Sequence, residues 1–273
     1  MALQGKLGFI GGGRMGEALI QGILKSAICA ADDILVTDPV AERRVYLTDT
    51  YGIKAYDSNK DANIWSACAT VILAVKPQIM EDVLKTAKGR INDSHLLISI
   101  AAGIRSSFIA DVLAGCNCRI IRVMPNTPAF VLEAASALSQ GPRATRQDMD
   151  TAVTIFNSIG KSIILDEKYF DAVTGLSGSG PAYVFTFIEA LIDAGLKVGL
   201  NRSDAELLVM QTVFGSVKLA MSSREHPAQL RAMVTSPGGT TIAALHELEA
   251  AGFNGIIMNA VEAATERSRE LGK

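Results

Sequence analysis

Through Leu165 the chain alternates short apolar runs with stretches of helical periodicity, as a parallel sheet with crossover helices requires. Lys6-Leu7-Gly8-Phe9-Ile10 predicts a first strand, and Met15 to Lys25 predicts its helix. Asp33 to Thr37 predicts a second strand, followed by a helix over Ala41 to Thr50. Thr70 to Val75, His95 to Ile100 and Arg119 to Met124 give the third, fourth and fifth strands. Two more are expected near Ala135 to Ser139 and Ser162 to Leu165.

From Asp166 onward the pattern changes to helix after helix. Pro181 to Val198 carries Tyr183, Val184, Phe185, Phe187, Ile188, Leu191 and Ile192, which is apolar around most of its circumference. Ser203-Asp204-Ala205-Glu206 reads as a capping box opening a helix rich in Leu207, Leu208, Met210, Val213, Phe214 and Val217. Such helices must be enclosed, and a domain of about 105 residues has too few partners to cover two of them. A second copy of the chain is the expected cover. The expected fold class is therefore α/β: an N-terminal Rossmann-type doubly wound parallel sheet over residues 1–165 and an all-helical C-terminal dimerisation domain over 166–273.

Bulk composition narrows the partners. The 273 residues carry 26 Lys and Arg against 28 Asp and Glu, a net charge of -2. That balance argues against a nucleic-acid or membrane-surface protein. Hydrophobic content is 49% and mean hydropathy +0.27, high for a soluble chain. Yet no apolar run approaches the ~18 residues of a membrane span. Met1 to Lys6 runs almost directly into the first strand, leaving no room for a signal peptide, so a cytoplasmic location is expected. The four cysteines (Cys29, Cys68, Cys116, Cys118) read as reduced thiols, and the three histidines (His95, His226, His246) are scattered. No metal site is expected.

Two glycine-rich helix starts carry the candidate chemistry. The first, Gly11-Gly12-Gly13-Arg14-Met15-Gly16, is a G-x-G-x-x-G turn between a strand and a helix. Its glycines permit a tight turn, close approach to a pyrophosphate, and close packing of helix on strand. Asp38 lies 22 residues beyond Gly16, where a carboxylate holds ribose hydroxyls and favours NADH. Arg43 and Arg44 follow, where an arginine could meet the 2′-phosphate of NADPH; the residues alone leave that choice open. Ala74-Val75-Lys76-Pro77, Ala101 and Asn126 end later strands on the same sheet edge and are further cofactor-binding candidates. Asn126 stands between two prolines, so a purely turn-forming role competes with contact to the reactive ring.

The second start, Ser236-Pro237-Gly238-Gly239-Thr240-Thr241, is a proline-broken loop running into Ile242 to Leu248. Free N–H groups at a helix start favour an anion such as a carboxylate.

With these motifs the chain resembles the pyrroline-5-carboxylate reductases over essentially its whole length. The likeness rests on Gly8 to Gly16, Ala74 to Pro77, Ser99 to Gly103, Arg122 to Pro128, Leu176 to Tyr183, and most specifically Pro227 to Leu230 with Val234 to Thr241. The resemblance implies hydride transfer from NAD(P)H to the C=N carbon of 1-pyrroline-5-carboxylate, giving L-proline. It implies that Ser236, Gly238, Gly239 and Thr240 bind the substrate carboxylate, in a pocket built at a homodimer interface. It also implies NADPH over NADH, against which Asp38 speaks, and dimers assembled into decamers. A cyclic imine accepts hydride best when its nitrogen is protonated, so the site needs orientation rather than a strong base. Thr241 is the candidate catalytic hydroxyl facing that nitrogen. A related imine reductase or a β-hydroxyacid-dehydrogenase-like oxidoreductase is the alternative. The latter needs a helical lysine, and neither Lys197 nor Lys218 lies in a matching motif.

Overall fold

The structure is a computed structural model describing residues 5–57 and 62–272. Residues 1–4, on which the signal-peptide expectation rests, lie outside the described residues. In chain order the first half runs β1 (Leu7–Ile10), α1 (Arg14–Lys25), β2 (Ile34–Thr37), α2 (Ala41–Tyr51), β3 (Lys54–Tyr56) and α3 (Ala62–Ala67). It continues with β4 (Thr70–Leu73), α4 (Pro77–Ala87), β5 (Leu96–Ser99), α5 (Ser106–Val112) and β6 (Arg119–Met124). The sheet is completed by β7 (Ala134–Gln140), α6 (Arg146–Asn157) and β8 (Gly160–Ile164).

All eight strands form one sheet in the order β3-β2-β1-β4-β5-β6-β7-β8. The order reverses between β1 and β4, the switch point where doubly wound sheets open a crevice for ligands. Ile10 aligns with Thr37 and Leu73, and Leu73 with Ser99, so the carboxyl ends of four strands lie side by side. Alternate residues supply two cores. Phe9, Ile72 and Ile98 face one, and Ile10, Val71, Leu73 and Leu97 the other, so both faces are covered.

Three details differ from the pattern reading. β3 is an extra edge strand; at three residues, with Lys54 exposed, it is too short to show alternation. β7 pairs antiparallel with β6, because a short 3₁₀ turn over Thr127–Val131 joins them where a parallel crossover would need a helix. The helix expected to open at the Ser203 capping box begins earlier. Asn201 is the true N-cap, its side chain accepting from the Asp204 N–H at 3.0 Å, because its amide oxygen stands one residue before the first turn.

The remaining helices are α7 (Phe170–Val173), α8 (Gly180–Lys197), α9 (Arg202–Ser223), α10 (Pro227–Met233), α11 (Thr240–Ala250) and α12 (Phe253–Leu271). The chain divides into two compact units, Met1–Ser179 with Ala264–Lys273, and Gly180–Ala263. The segment 166–179, helical by pattern, thus packs with the sheet. Phe170 is buried, with the Arg122 guanidinium 4.8 Å from its ring centre.

The second unit is apolar without being closed. Among the described residues only Ala205 of α9 is buried, and no residue of α8 is. Phe185, Leu207, Phe214 and Met258 are all more than 60% exposed in the single chain. No helix among the described residues is long and apolar enough to cross a membrane.

Candidate active site

The first glycine turn is dictated by crowding. β1 gives way to Gly11, whose φ of +100° suits glycine, and whose added Cβ would lie 2.6 Å from the Ala74 carbonyl oxygen. The turn is tied to both neighbouring strands: Gly11 N–H donates to the Thr37 carbonyl and Ala74 N–H to that of Ile10, each at 2.8 Å. A Cβ at Gly16 would lie 2.8 Å from the Gly11 carbonyl oxygen, so helix and turn touch backbone to backbone. Gly13 differs, with nothing within 4 Å of where its Cβ would be. It is the N-cap of α1, and no side chain caps that helix. An open, uncapped helix start beside a glycine is what a pyrophosphate requires, and the residues fit a dinucleotide.

A cavity of about 410 Å³ opens there. Gly13, Arg14, Met15, Ala74, Val75, Lys76, Pro77, Ala101 and Asn126 all line it, bringing together candidates from four strand ends. Gly11, Gly12, Gly16, Asp38 and Arg43 stand outside its lining; the first three shape the turn behind it. Arg14 is held with its guanidinium 5.2 Å from the Phe130 ring centre. Gly178 also lines the cavity and was not singled out from sequence. Its signal lay in the Leu176 to Tyr183 motif, and a Cβ there would press on Met124 Cε at 2.8 Å.

Asn126 lines the cavity with its side chain already engaged. Its amide donates to the Ser177 carbonyl at 3.0 Å and its oxygen accepts from the Ala135 N–H at 2.9 Å. It pins the strand-end turn to β7 and to the segment before α8.

Asp38 is buried, and each carboxylate oxygen accepts one backbone N–H at 2.9 Å, Gly12 on one side and Val40 on the other. Arg44 donates to the Asp38 carbonyl and pairs with Asp57, each at 2.8 Å. Arg43 turns inward, its Nε donating to the Gly12 carbonyl at 2.5 Å while Nη2 pairs with Glu17. Burial pushes the Glu17 carboxyl up, but hydrogen bonds from Arg43, Tyr51 and Tyr46 outweigh it and hold it below its ordinary value. Burial and that carboxylate together push the Tyr51 hydroxyl up to about 12.

In the helical unit, Gly238 has a φ of +68°, and a Cβ on Gly239 would fall on Ser236 Oγ. Gly239 is the N-cap of α11, again with no side-chain cap. Gly238 and Gly239 line an open groove of about 410 Å³ with Ile242, Ala243, His246 and Glu249. Ser236 and Thr240 are exposed, and Thr241 is half-buried on the first turn. His226 caps α10, its Nδ1 accepting from the Ala228 N–H at 3.2 Å, which agrees with the structural role its place before Pro227 suggests.

Among the described residues no cluster of His, Cys, Asp and Glu could hold a metal. The four cysteines are free thiols; burial pushes Cys68 up to about 11 and Cys118 up to about 12, which disfavours the thiolate of these two.

Comparison with known proteins agrees with this geometry. The family described as "Pyrroline-5-carboxylate reductase dimerisation" matches residues 167–271, and "NADP oxidoreductase coenzyme F420-dependent" matches residues 6–103. A pyrroline-5-carboxylate reductase of Pisum sativum is 47% identical over 97% of this chain and 95% of its own. The solved structure of one from Coxiella burnetii superposes with a TM-score of 0.93 at 33% identity, covering 99% of this chain and 100% of that one. That of the Plasmodium falciparum enzyme, solved with NADP bound, gives 0.88 at 36% identity with both chains fully covered.

Taken with these matches, the switch-point cavity and its uncapped glycine turn belong to an NAD(P)H-dependent oxidoreductase whose helical part matches a dimerisation family. The chain belongs to the pyrroline-5-carboxylate reductase family. It reduces 1-pyrroline-5-carboxylate to L-proline, the last step of proline biosynthesis.

Proposed function

We propose that the two uncapped glycine helix starts divide this reaction between them. Gly11, Gly12, Gly13, Arg14, Met15 and Gly16 hold the cofactor pyrophosphate, and Asp38 and Arg43 stand beside the adenosine ribose. Ala74, Val75, Lys76 and Pro77 touch the ribose, Ala101 lines the same cavity, and Asn126 stands nearest the nicotinamide ring. NADPH supplies the hydride when bound, with NADH as the weaker substitute.

The substrate carboxylate sits on the backbone N–H groups of Gly238, Gly239 and Thr240, with the Ser236 hydroxyl assisting. The observation that carries this is the uncapped start of α11 behind Gly238 and Gly239, opening on a groove. A helix start contributes roughly 0.3–1 kcal/mol to an exposed anion and up to ~2 kcal/mol to a partly buried one. Direct hydrogen bonds add to that. The Thr241 hydroxyl, one residue further along the same turn, hydrogen-bonds the imine nitrogen. Since the protonated imine is already the better hydride acceptor, no histidine is required, in keeping with the exposed position of His246 on the groove.

The protein works in the cytoplasm as a homodimer, with dimers assembled into decamers, and the exposed apolar faces of α8, α9 and α12 support that assembly. Mixing the purified protein with NADPH and pyrroline-5-carboxylate and following absorbance of the reduced nicotinamide tests the reading. Oxidation of NADPH with proline as product is the expected result. Oxidation seen only with a hydroxyacid–ketoacid pair would overturn it.

A further inference from the structure

Arg43 bridges the two elements that frame the end of β2. Besides the Gly12 carbonyl and Glu17, it lies with its guanidinium 5.0 Å from the Tyr46 ring centre. Glu17 is equally engaged, its second oxygen accepting from the Tyr46 and Tyr51 hydroxyls, each at 2.9 Å. The side chains of Arg43 and Glu17 are only 23% and 20% exposed, so solvent screens the pair less than an ordinary surface contact. Arg44 is drawn away to Asp57.

A 2′-phosphate is read by guanidinium N–H groups left free to fork onto it. In Arg43 two of the three nitrogens are in use, and a carboxylate cancels part of the charge. Asp38, meanwhile, has lone pairs left for a ribose hydroxyl after its two backbone bonds. We infer that Glu17 is a selectivity-setting residue: by holding Arg43 against the glycine turn, it narrows this chain's preference for NADPH over NADH. The inference rests on Gly11 to Gly16 being the cofactor loop.

Calorimetric titration of the substrate-free protein with NADPH and with NADH gives both dissociation constants without reference to turnover. Glu17→Gln keeps the shape and the acceptor for the tyrosines but loses the charge. It should shift the ratio of the two constants towards NADPH by roughly fivefold or more. Adding Arg43→Gln to Glu17→Gln should remove that gain, whereas Arg43→Gln alone should alter the ratio less. Glu17→Asp, which keeps a carboxylate with shorter reach, should move the ratio the same way by a smaller factor, and serves if Glu17→Gln does not fold. Equal changes in both constants, or a shift towards NADH, would show that Glu17 merely supports the turn and would overturn the inference. Failure of the wild-type protein to bind either nucleotide would instead remove the loop assignment beneath it.

Discussion

Both units start a helix at an uncapped glycine, Gly13 before α1 and Gly239 before α11, but the two stand on different foundations. Behind Gly13 lies a sheet with both faces covered, and the turn is wedged against the Ala74 carbonyl. Around Gly239 lie helices of which many apolar residues stay exposed in the single chain. The first candidate anion site is backed by the chain's own core. The second lies in a unit that matches a dimerisation family and leaves its apolar residues exposed in the single chain, so on the reading proposed above chemistry at Thr241 needs assembly and dinucleotide binding does not.

The harshest test of that contrast is a charge on the open face. Phe214 is 62% exposed in the single chain, so Phe214→Glu costs little until a second copy covers it. Burying an unpaired carboxylate in each of two copies costs several kcal/mol, weakening association by about a thousandfold or more. Sedimentation should then show monomers with reductase activity lost and NADPH affinity retained. An unchanged oligomer would mean that α9 is not the associating face.

Next come the glycines themselves. Gly11→Ala places a methyl 2.6 Å from a backbone oxygen at a φ of +100°, with no flexible side chain to give way. NADPH affinity should fall on the order of a hundredfold, read by fluorescence titration. Gly238→Val meets open space and bears only the strain of a left-handed φ for a branched residue. It should raise KM for pyrroline-5-carboxylate at least about tenfold with NADPH affinity unchanged. Normal substrate affinity there would refute the carboxylate anchor.

Thr241→Ala is milder still. It removes one hydroxyl from a backbone that stays intact, so kcat/KM should drop roughly tenfold to a hundredfold while NADPH binds as before. Wild-type turnover would take Thr241 out of the mechanism.

Much of this was legible in the residues, for identifiable reasons. Strands buried on both faces, such as Ile72 to Leu73 and Leu97 to Ile98, appear as apolar runs, and the Gly11 to Gly16 spacing fixes a turn that packing then enforces. That α8 and α9 need a cover from outside their own domain is legible too, because helices this apolar cannot stand alone. What stayed hidden depends on contacts distant in sequence. Nothing in Arg43 or Glu17 alone announces that they pair across 26 residues, nor that Asn126 spends its amide on Ser177, 51 residues away. Nor does the helical look of 166–179 reveal that Phe170 and Glu167 belong to the sheet's unit.

That last segment supplies the smallest and most specific effect. Glu167 accepts from the Ser106 N–H at 2.8 Å, from the Ser106 hydroxyl, and from Arg122 at 3.0 Å. Burial raises its carboxyl, but the bonds from Ser106 and Arg122 outweigh burial and leave it below its ordinary value. A carboxyl held lower in the folded than in the unfolded chain contributes stability above the unfolded value, about 4.3. That contribution disappears as pH falls through the folded value. Glu167→Gln should therefore cost about 1 kcal/mol at pH 7, and the difference from wild type should shrink in urea titrations below about pH 4. A gap that stays constant with pH would mean that shape rather than charge ties this segment to the sheet.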